Sequence, residues 1–218
     1  LRSRVGMRVP NTALPIEVAR RCTGLRDVVF LGTGARSYMD PEALASIGIE
    51  VHLIKGYGDT AVAECAIGLL FDAARKFAAM DRAMRDGRWL RSEGTQLGAK
   101  TLGLIGYGGI AAEVARMAIA IGMKVIAWNR TAKSGVPGVE FVAIEHLLAE
   151  SDAVSLHLLL TDETRGFLSA ARIAAMRRGV LLVNTARGAL VDETAMVEAL
   201  RSGRIGHAGL DVFTVEPL

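Results

Sequence analysis

Residues 101–111 read Thr101-Leu-Gly-Leu-Ile-Gly-Tyr-Gly-Gly-Ile-Ala111, and the fold is best read outward from this stretch. Its first five residues form an apolar run that stops at a glycine, the pattern of a parallel strand buried on both faces. Gly106-Tyr107-Gly108-Gly109-Ile110-Ala111 then follows the spacing G-x-G-x-x-G/A. Gly106 permits the tight turn and Gly108 lets the backbone approach a pyrophosphate. The small Ala111 lets the next helix pack against the strand. Helical spacing runs from Ile110 to Ile121, with Gly122 where a helix would stop. The free N–H groups and dipole at such a helix start attract phosphate. In a chain with 24 glycines a bare glycine match is weak. Its strand–loop–helix–strand context is what favours a nucleotide over a purely structural turn.

Downstream the alternation continues. Lys124-Val-Ile-Ala-Trp128, Ala153-Val-Ser-Leu156 and Val180-Leu-Leu-Val183 read as strands, and Glu193 to Arg201 as a helix with Gly203 beyond it. A last short strand runs from Ala208 to Leu210. Strands separated by helices imply right-handed crossovers and a parallel, doubly wound sheet. Upstream the theme is looser. Val28 to Leu31 and Ile49 to Leu53 read as strands, Pro41 to Ile47 as a helix, and residues 61–85 as one long helix. The polar, glycine-containing stretch from Gly87 to Gly98 suggests a domain boundary. The expectation is therefore an α/β chain of two doubly wound parallel-sheet domains. Residues 1–91 form the first and residues 92–218 a Rossmann dinucleotide-binding domain.

A dinucleotide site of this kind carries an acid roughly 20 residues after the loop, where it holds the adenosine ribose. Here the second strand ends Trp128-Asn129-Arg130-Thr131, with Asn129 in that place. Asparagine can hydrogen-bond a ribose without repelling a 2′-phosphate, and Arg130 and Lys133 can pair with one. These residues leave both NAD and NADP open; a merely solvated basic loop is the plain alternative.

Composition narrows the class. The chain has 218 residues, 51% of them hydrophobic, which suffices for a large core, and 22% charged, which argues against wholesale disorder. The net charge is +3 with Lys and Arg scattered, so a nucleic-acid partner is not expected. Charged residues interrupt the longest apolar stretches, so no membrane span is expected, and no signal pattern opens the chain. Two cysteines, Cys22 and Cys65, form neither a CxxC nor a ligand cluster with histidine. No metal site is expected, and a reducing, cytoplasmic setting fits best.

Three segments carry a specific resemblance: SDAVSLHLLLTDETRGFL (151–168), VLLVNTARGALVDE (180–193) and GHAGLDVFTVEP (206–217). They are similar to the D-isomer-specific 2-hydroxyacid dehydrogenases, a family that includes phosphoglycerate dehydrogenases and glyoxylate/hydroxypyruvate reductases. LGTGARSYMD (31–40) resembles that family's substrate loop, and DTAVAECAIGLL (59–70) its interdomain helix. The resemblance implies hydride transfer between NAD or NADP and the C2 of a small 2-hydroxy or 2-oxo acid, in a protein that forms homodimers. It makes Arg187 the substrate-binding arginine and Glu216 the carboxylate paired with a catalytic histidine. It places Asp211 near the nicotinamide, and Thr33 and Gly34 where backbone amides meet the substrate carboxylate and the cofactor. Gly109, Ile110, Thr185 and Ala186 match cofactor contacts. The histidine itself is expected a few tens of residues after Glu216, beyond Leu218, as is a returning segment of the first domain. His52, His146, His157 and His207 do not match it.

Two departures stand out. Leu159 occupies the place of a usual proline two residues after His157, and Cys65 that of a common histidine. Formate dehydrogenases share the architecture but carry Gln where Glu216 stands. A non-catalytic NAD(P)-binding sensor or corepressor on the same fold is the alternative from another class. Without the resemblance, Arg187 reads as a loop arginine and Glu216 as a solvated acid.

Overall fold

The computed structural model describes residues 13–30, 34–131 and 133–217, with the side chain of Ser37 also outside the description. By compactness the chain divides into two units, 1–59 and 60–218. Each is considered by itself.

The second unit begins with α3 (Asp59–Arg75) and α4 (Phe77–Arg85), continuing the numbering after the two short helices of the first unit. Its strands are β3 (Thr101–Ile105), β4 (Lys124–Trp128), β5 (Val139–Phe141), β6 (Ala153–Leu156), β7 (Val180–Asn184) and β8 (Ile205–Leu210). Between them run α5 (Gly109–Ala120), α6 (Ile144–Glu150), α7 (Ala170–Ala175) and α8 (Glu193–Arg201). All pairings are parallel and the order is β5-β4-β3-β6-β7-β8. Counted from β3 this is 3-2-1-4-5-6, the order of a Rossmann sheet, and it reverses between β3 and β6.

Alternate residues of each strand feed two separate cores, because successive side chains point to opposite faces. Leu102, Leu104, Val125, Ala127, Ala153, Leu181 and Val183 pack with α3 and α5 on one face. Ile105, Ile126, Val154, Leu156, Val180 and Leu182 pack with α6, α7 and α8 on the other. Each fully buried leucine of this kind contributes about 1.5–3 kcal/mol. Gly103 is needed for close approach, since a Cβ there would lie 2.7 Å from Leu147 Cδ2 on α6.

One expectation is corrected. Residues 61–85 are two helices rather than one. Lys76 takes left-handed backbone angles (φ 60°), and the Asp72 carboxylate accepts a hydrogen bond from Ala78 N at 2.7 Å, capping the second helix. The compact division falls before Thr60. The cause is that α3 buries Ala63, Ala66, Leu70, Ala73 and Ala74 in the core beneath β3 and β4. Among the described residues, the doubly wound sheet lies in the second unit.

The first unit holds α1 (Ile16–Arg21), β1 (Asp27–Phe30), α2 (Pro41–Ser46) and β2 (Glu50–Leu53). Among its described residues the sheet is the parallel pair β1-β2. Asp40 caps α2 by accepting from Ala43 N at 3.0 Å, and Pro41 opens it. The core is a small cluster around Val28, Leu44 and Ile49. No helix among the described residues is long and apolar enough to cross a membrane.

Candidate active site and nucleotide pocket

The glycine loop stands at the reversal of the sheet. Gly106 has φ +90°, and its N–H donates to Trp128 O at 2.8 Å. A Cβ at this position would lie 2.7 Å from His157 O, so only glycine lets the loop pass between the ends of β4 and β6. Gly108 is extended and offers no side-chain cap, and α5 starts at Gly109. The first-turn N–H groups of Gly109, Ile110 and Ala111 therefore remain for an anion, with the positive end of the helix dipole behind them.

Beside the loop is a pocket of about 360 Å³ between Gly106–Gly108, Trp128–Thr131 and the segment from His157 to Phe167. Asn129 knits it together. Its Oδ1 accepts from Tyr107 N at 3.1 Å and its Nδ2 donates to Thr131 O at 2.8 Å. Lys133 Nζ donates to Tyr107 O at 2.8 Å, and Arg130 Nη1 pairs with Glu163 Oε2 at 2.8 Å. Trp128 packs on Phe167 with ring centroids 5.1 Å apart. The loop bearing Leu159 is closed by the Thr164 hydroxyl, which donates to Leu159 O at 2.6 Å and accepts from Thr161 N at 2.8 Å. A larger, open depression of about 650 Å³ lies at the opposite ends of β3 and β4, by Thr101 and Lys124. Ligands of open parallel sheets sit at the carboxyl ends of the strands, so the smaller pocket is the candidate.

A second group of site residues follows β7. Asn184, only 1% exposed, accepts from Ala186 N at 3.0 Å through Oδ1 and donates to Arg187 O at 2.9 Å through Nδ2. This closes the turn that presents Arg187. The guanidinium is half-buried and donates to Ala186 O at 2.6 Å; among the described residues no carboxylate pairs with it. Asp211 leaves the end of β8 with its N–H on Asn184 O at 3.0 Å, and its negative charge adds to burial in raising the Cys65 thiol pKa. Glu216 is exposed and accepts from Phe213 N at 2.8 Å. Thr185 Oγ1 is buried without a hydrogen-bond partner among the described residues.

Gly106, Gly108, Asn129 and Arg130 are thus brought to one pocket, with Gly109 and Ile110 at the helix start next to it. Thr185, Ala186, Arg187 and Asp211 gather at the ends of β7 and β8. Gly34 is buried in the first unit, preceding a 3-10 turn at Ala35–Ser37, while Thr33 lies outside the described residues. Sequence reasoning passed over Glu163 and the positioning role of Asn184. A polar residue ending an all-apolar strand was the available signal for Asn184; nothing local marked Glu163. It also passed over the pairing of His157 with Ser155. The imidazole Nε2 lies 2.9 Å from Ser155 Oγ, and burial pulls its pKa down to about 4, so it is neutral at pH 7.

These features fit a dinucleotide: a glycine cradle that a Cβ would fill, an open helix start, a pocket at the sheet reversal and an orphaned hydroxyl beyond it. Comparison with known proteins agrees. Residues 67–218 match the family described as D-isomer specific 2-hydroxyacid dehydrogenase, NAD binding domain. The chain is 39% identical over 208 residues to a hydroxypyruvate reductase of Thermotoga maritima, covering 94% of this chain and 68% of that protein. It superposes on a glyoxylate reductase from Paecilomyes thermophila with a TM-score of 0.86 at 37% identity, over 94% of this chain and 64% of that one. An acyclic imino acid reductase solved with NADPH and D-Arg gives 0.82 at 33% identity, over 94% and 67%. The chain spans about two thirds of the length of these relatives. It belongs to the D-isomer-specific 2-hydroxyacid dehydrogenase family, and its second unit is that family's NAD-binding domain.

Proposed function

We propose that the protein transfers hydride between NAD(P) and the C2 carbon of a small D-2-hydroxy or 2-oxo acid. The observation that carries this is Arg187. A guanidinium without a carboxylate partner among the described residues is held at the carboxyl edge of the same sheet whose reversal forms the nucleotide pocket. Its fork suits a 2-oxo acid, binding the carboxylate and polarising the carbonyl oxygen on which negative charge develops. When bound, the nicotinamide supplies or accepts the hydride. Gly106, Gly108, Gly109 and Ile110 hold the pyrophosphate, Asn129 and Arg130 the adenosine ribose, and Thr185, Ala186 and Asp211 the nicotinamide end. Thr33 and Gly34 offer backbone amides to the substrate. Glu216 raises the pKa of the acid/base histidine it pairs with. His157 is not that acid: it is neutral and committed to Ser155.

Several companion assignments belong to the same proposal. Substrate-domain residues precede about residue 91, with α3 as the element joining them to the nucleotide domain. Arg130 and Lys133 admit NADPH as well as NADH. The exposed Phe77, Met84, Trp89 and Leu90 on and after α4 are the apolar surface of a homodimer. Two free thiols accord with a cytoplasmic setting.

The test is reduction of glyoxylate or hydroxypyruvate by the complete protein with NADH and NADPH. Arg187→Lys is expected to lower kcat/KM by about 2–4 kcal/mol of transition-state stabilisation, some 30- to 1,000-fold, with cofactor Kd within twofold. An unchanged kcat/KM removes Arg187 from the site. Nucleotide binding without turnover of any 2-oxo acid would instead favour a sensor.

A further inference from the structure

The mouth of the nucleotide pocket is crossed by an ion pair. Arg130 follows β4 and Glu163 sits in the loop after β6, so their 2.8 Å contact joins two walls of the same cavity. Two other polar side chains at the end of β4 are already engaged: Asn129 with Tyr107 N and Thr131 O, Lys133 with Tyr107 O. Arg130 is the pocket-lining guanidinium available to a phosphate on the ribose, and the Glu163 carboxylate stands where such a phosphate would bind it.

We propose that Glu163 is a cofactor-selectivity residue, an internal competitor for Arg130 that disfavours NADP(H) relative to NAD(H). The proposal rests on reading this pocket as the adenosine-ribose end of the cofactor site. A 2′-phosphate must displace the carboxylate from the guanidinium, where a single Nη1–Oε2 contact holds it, and then lie beside a like charge. An unphosphorylated ribose demands neither.

Both side chains are about three-quarters exposed (75% and 77%), so the pair is a weak one and its replacement leaves the core untouched. Glu163→Gln keeps the size and removes the charge. Calorimetric titration with NADPH, NADH, 2′,5′-ADP and ADP, in the parent chain, Glu163→Gln, Arg130→Ala and the double variant, tests the idea. Glu163→Gln is expected to tighten NADPH and 2′,5′-ADP about two- to fivefold, the range for releasing an exposed ion pair. NADH and ADP should change less than twofold. The gain should vanish in the Arg130→Ala background and shrink at high salt. Equal tightening of phosphorylated and unphosphorylated ligands, no change, weaker NADPH binding, or a gain that survives Arg130→Ala would each overturn the proposal. Failure of the parent chain to bind any of the four ligands would overturn the nucleotide-pocket reading itself, and the proposal with it.

Discussion

Strand β7 buries all five of its residues, whereas β2, equally a parallel strand, has none of its four fully buried. The difference lies in what covers each sheet within its own unit. In the second unit α3 and α5 cover one face and α6, α7 and α8 the other, so a strand in the middle has no exposed side. In the first unit the cluster around Leu44 gathers seven buried hydrophobic residues. A strand end clamped from both faces can hold a polar group still, and the second unit uses this three times, at Ser155, His157 and Asn184. Rigid placement of functional loops is thus a consequence of double-sided burial rather than of parallel pairing alone.

The sharpest way to break this comparison is to cut a leucine from each core. Leu182, 0% exposed, should cost about 3–5 kcal/mol on replacement by alanine, because helices on one side and neighbouring strands on both resist collapse. Leu44, 1% exposed in the smaller cluster, should cost nearer 2–3 kcal/mol, toward the lower part of that range. Native-state hydrogen exchange reads the two units separately, and equal costs would contradict the comparison.

Acid probes the buried strand ends. Above pH 6.5 His157 is neutral whether the chain is folded or unfolded, and it gives no pH dependence. Between 6.5 and about 4 the unfolded chain takes up a proton that the folded one refuses, so stability falls as pH falls, levelling off below about 4. The loss amounts to roughly 3 kcal/mol at most. Unfolding at pH 7 and pH 4.5 should show a shallower acid loss in His157→Gln than in the parent chain. An identical slope would mean that the imidazole is accessible.

The smallest of these effects belongs to Asn184→Ala. It leaves Ala186 N and Arg187 O without their partner, at about 1–3 kcal/mol for the unsatisfied groups. Because the turn that aims Arg187 loosens, KM for the 2-oxo acid should rise while NADH affinity holds. A stability loss without a change in KM would reduce Asn184 to a packing residue.

The same contrast explains what was legible in the sequence. The continuous apolar runs of β3, β4, β6 and β7 announce strands covered on both faces, and the glycine spacing fixes the loop between β3 and α5. The edge strand β5 has three residues with Glu140 exposed in the middle, too short to show a period. The helices α6 and α7, of seven and six residues, are similarly brief. No glycine or proline marks the break at Lys76, which depends on the Asp72 side chain reaching forward. At the site, the glycine loop could be argued from spacing, but Arg187 and Glu216 came from resemblance alone. Glu163 stayed hidden because its partner Arg130 lies 33 residues earlier and they meet only across the sheet reversal.

The packing of Trp128 on Phe167 inside the pocket has a practical consequence. The chain has two tryptophans, and the other, Trp89, is 79% exposed. Trp128 is half-buried against Phe167 and lines the pocket. Replacing Trp89 by phenylalanine leaves Trp128 as the single tryptophan, beside the glycine loop. Its spectrum then registers nucleotide arrival without a label, a coupled reaction or any turnover.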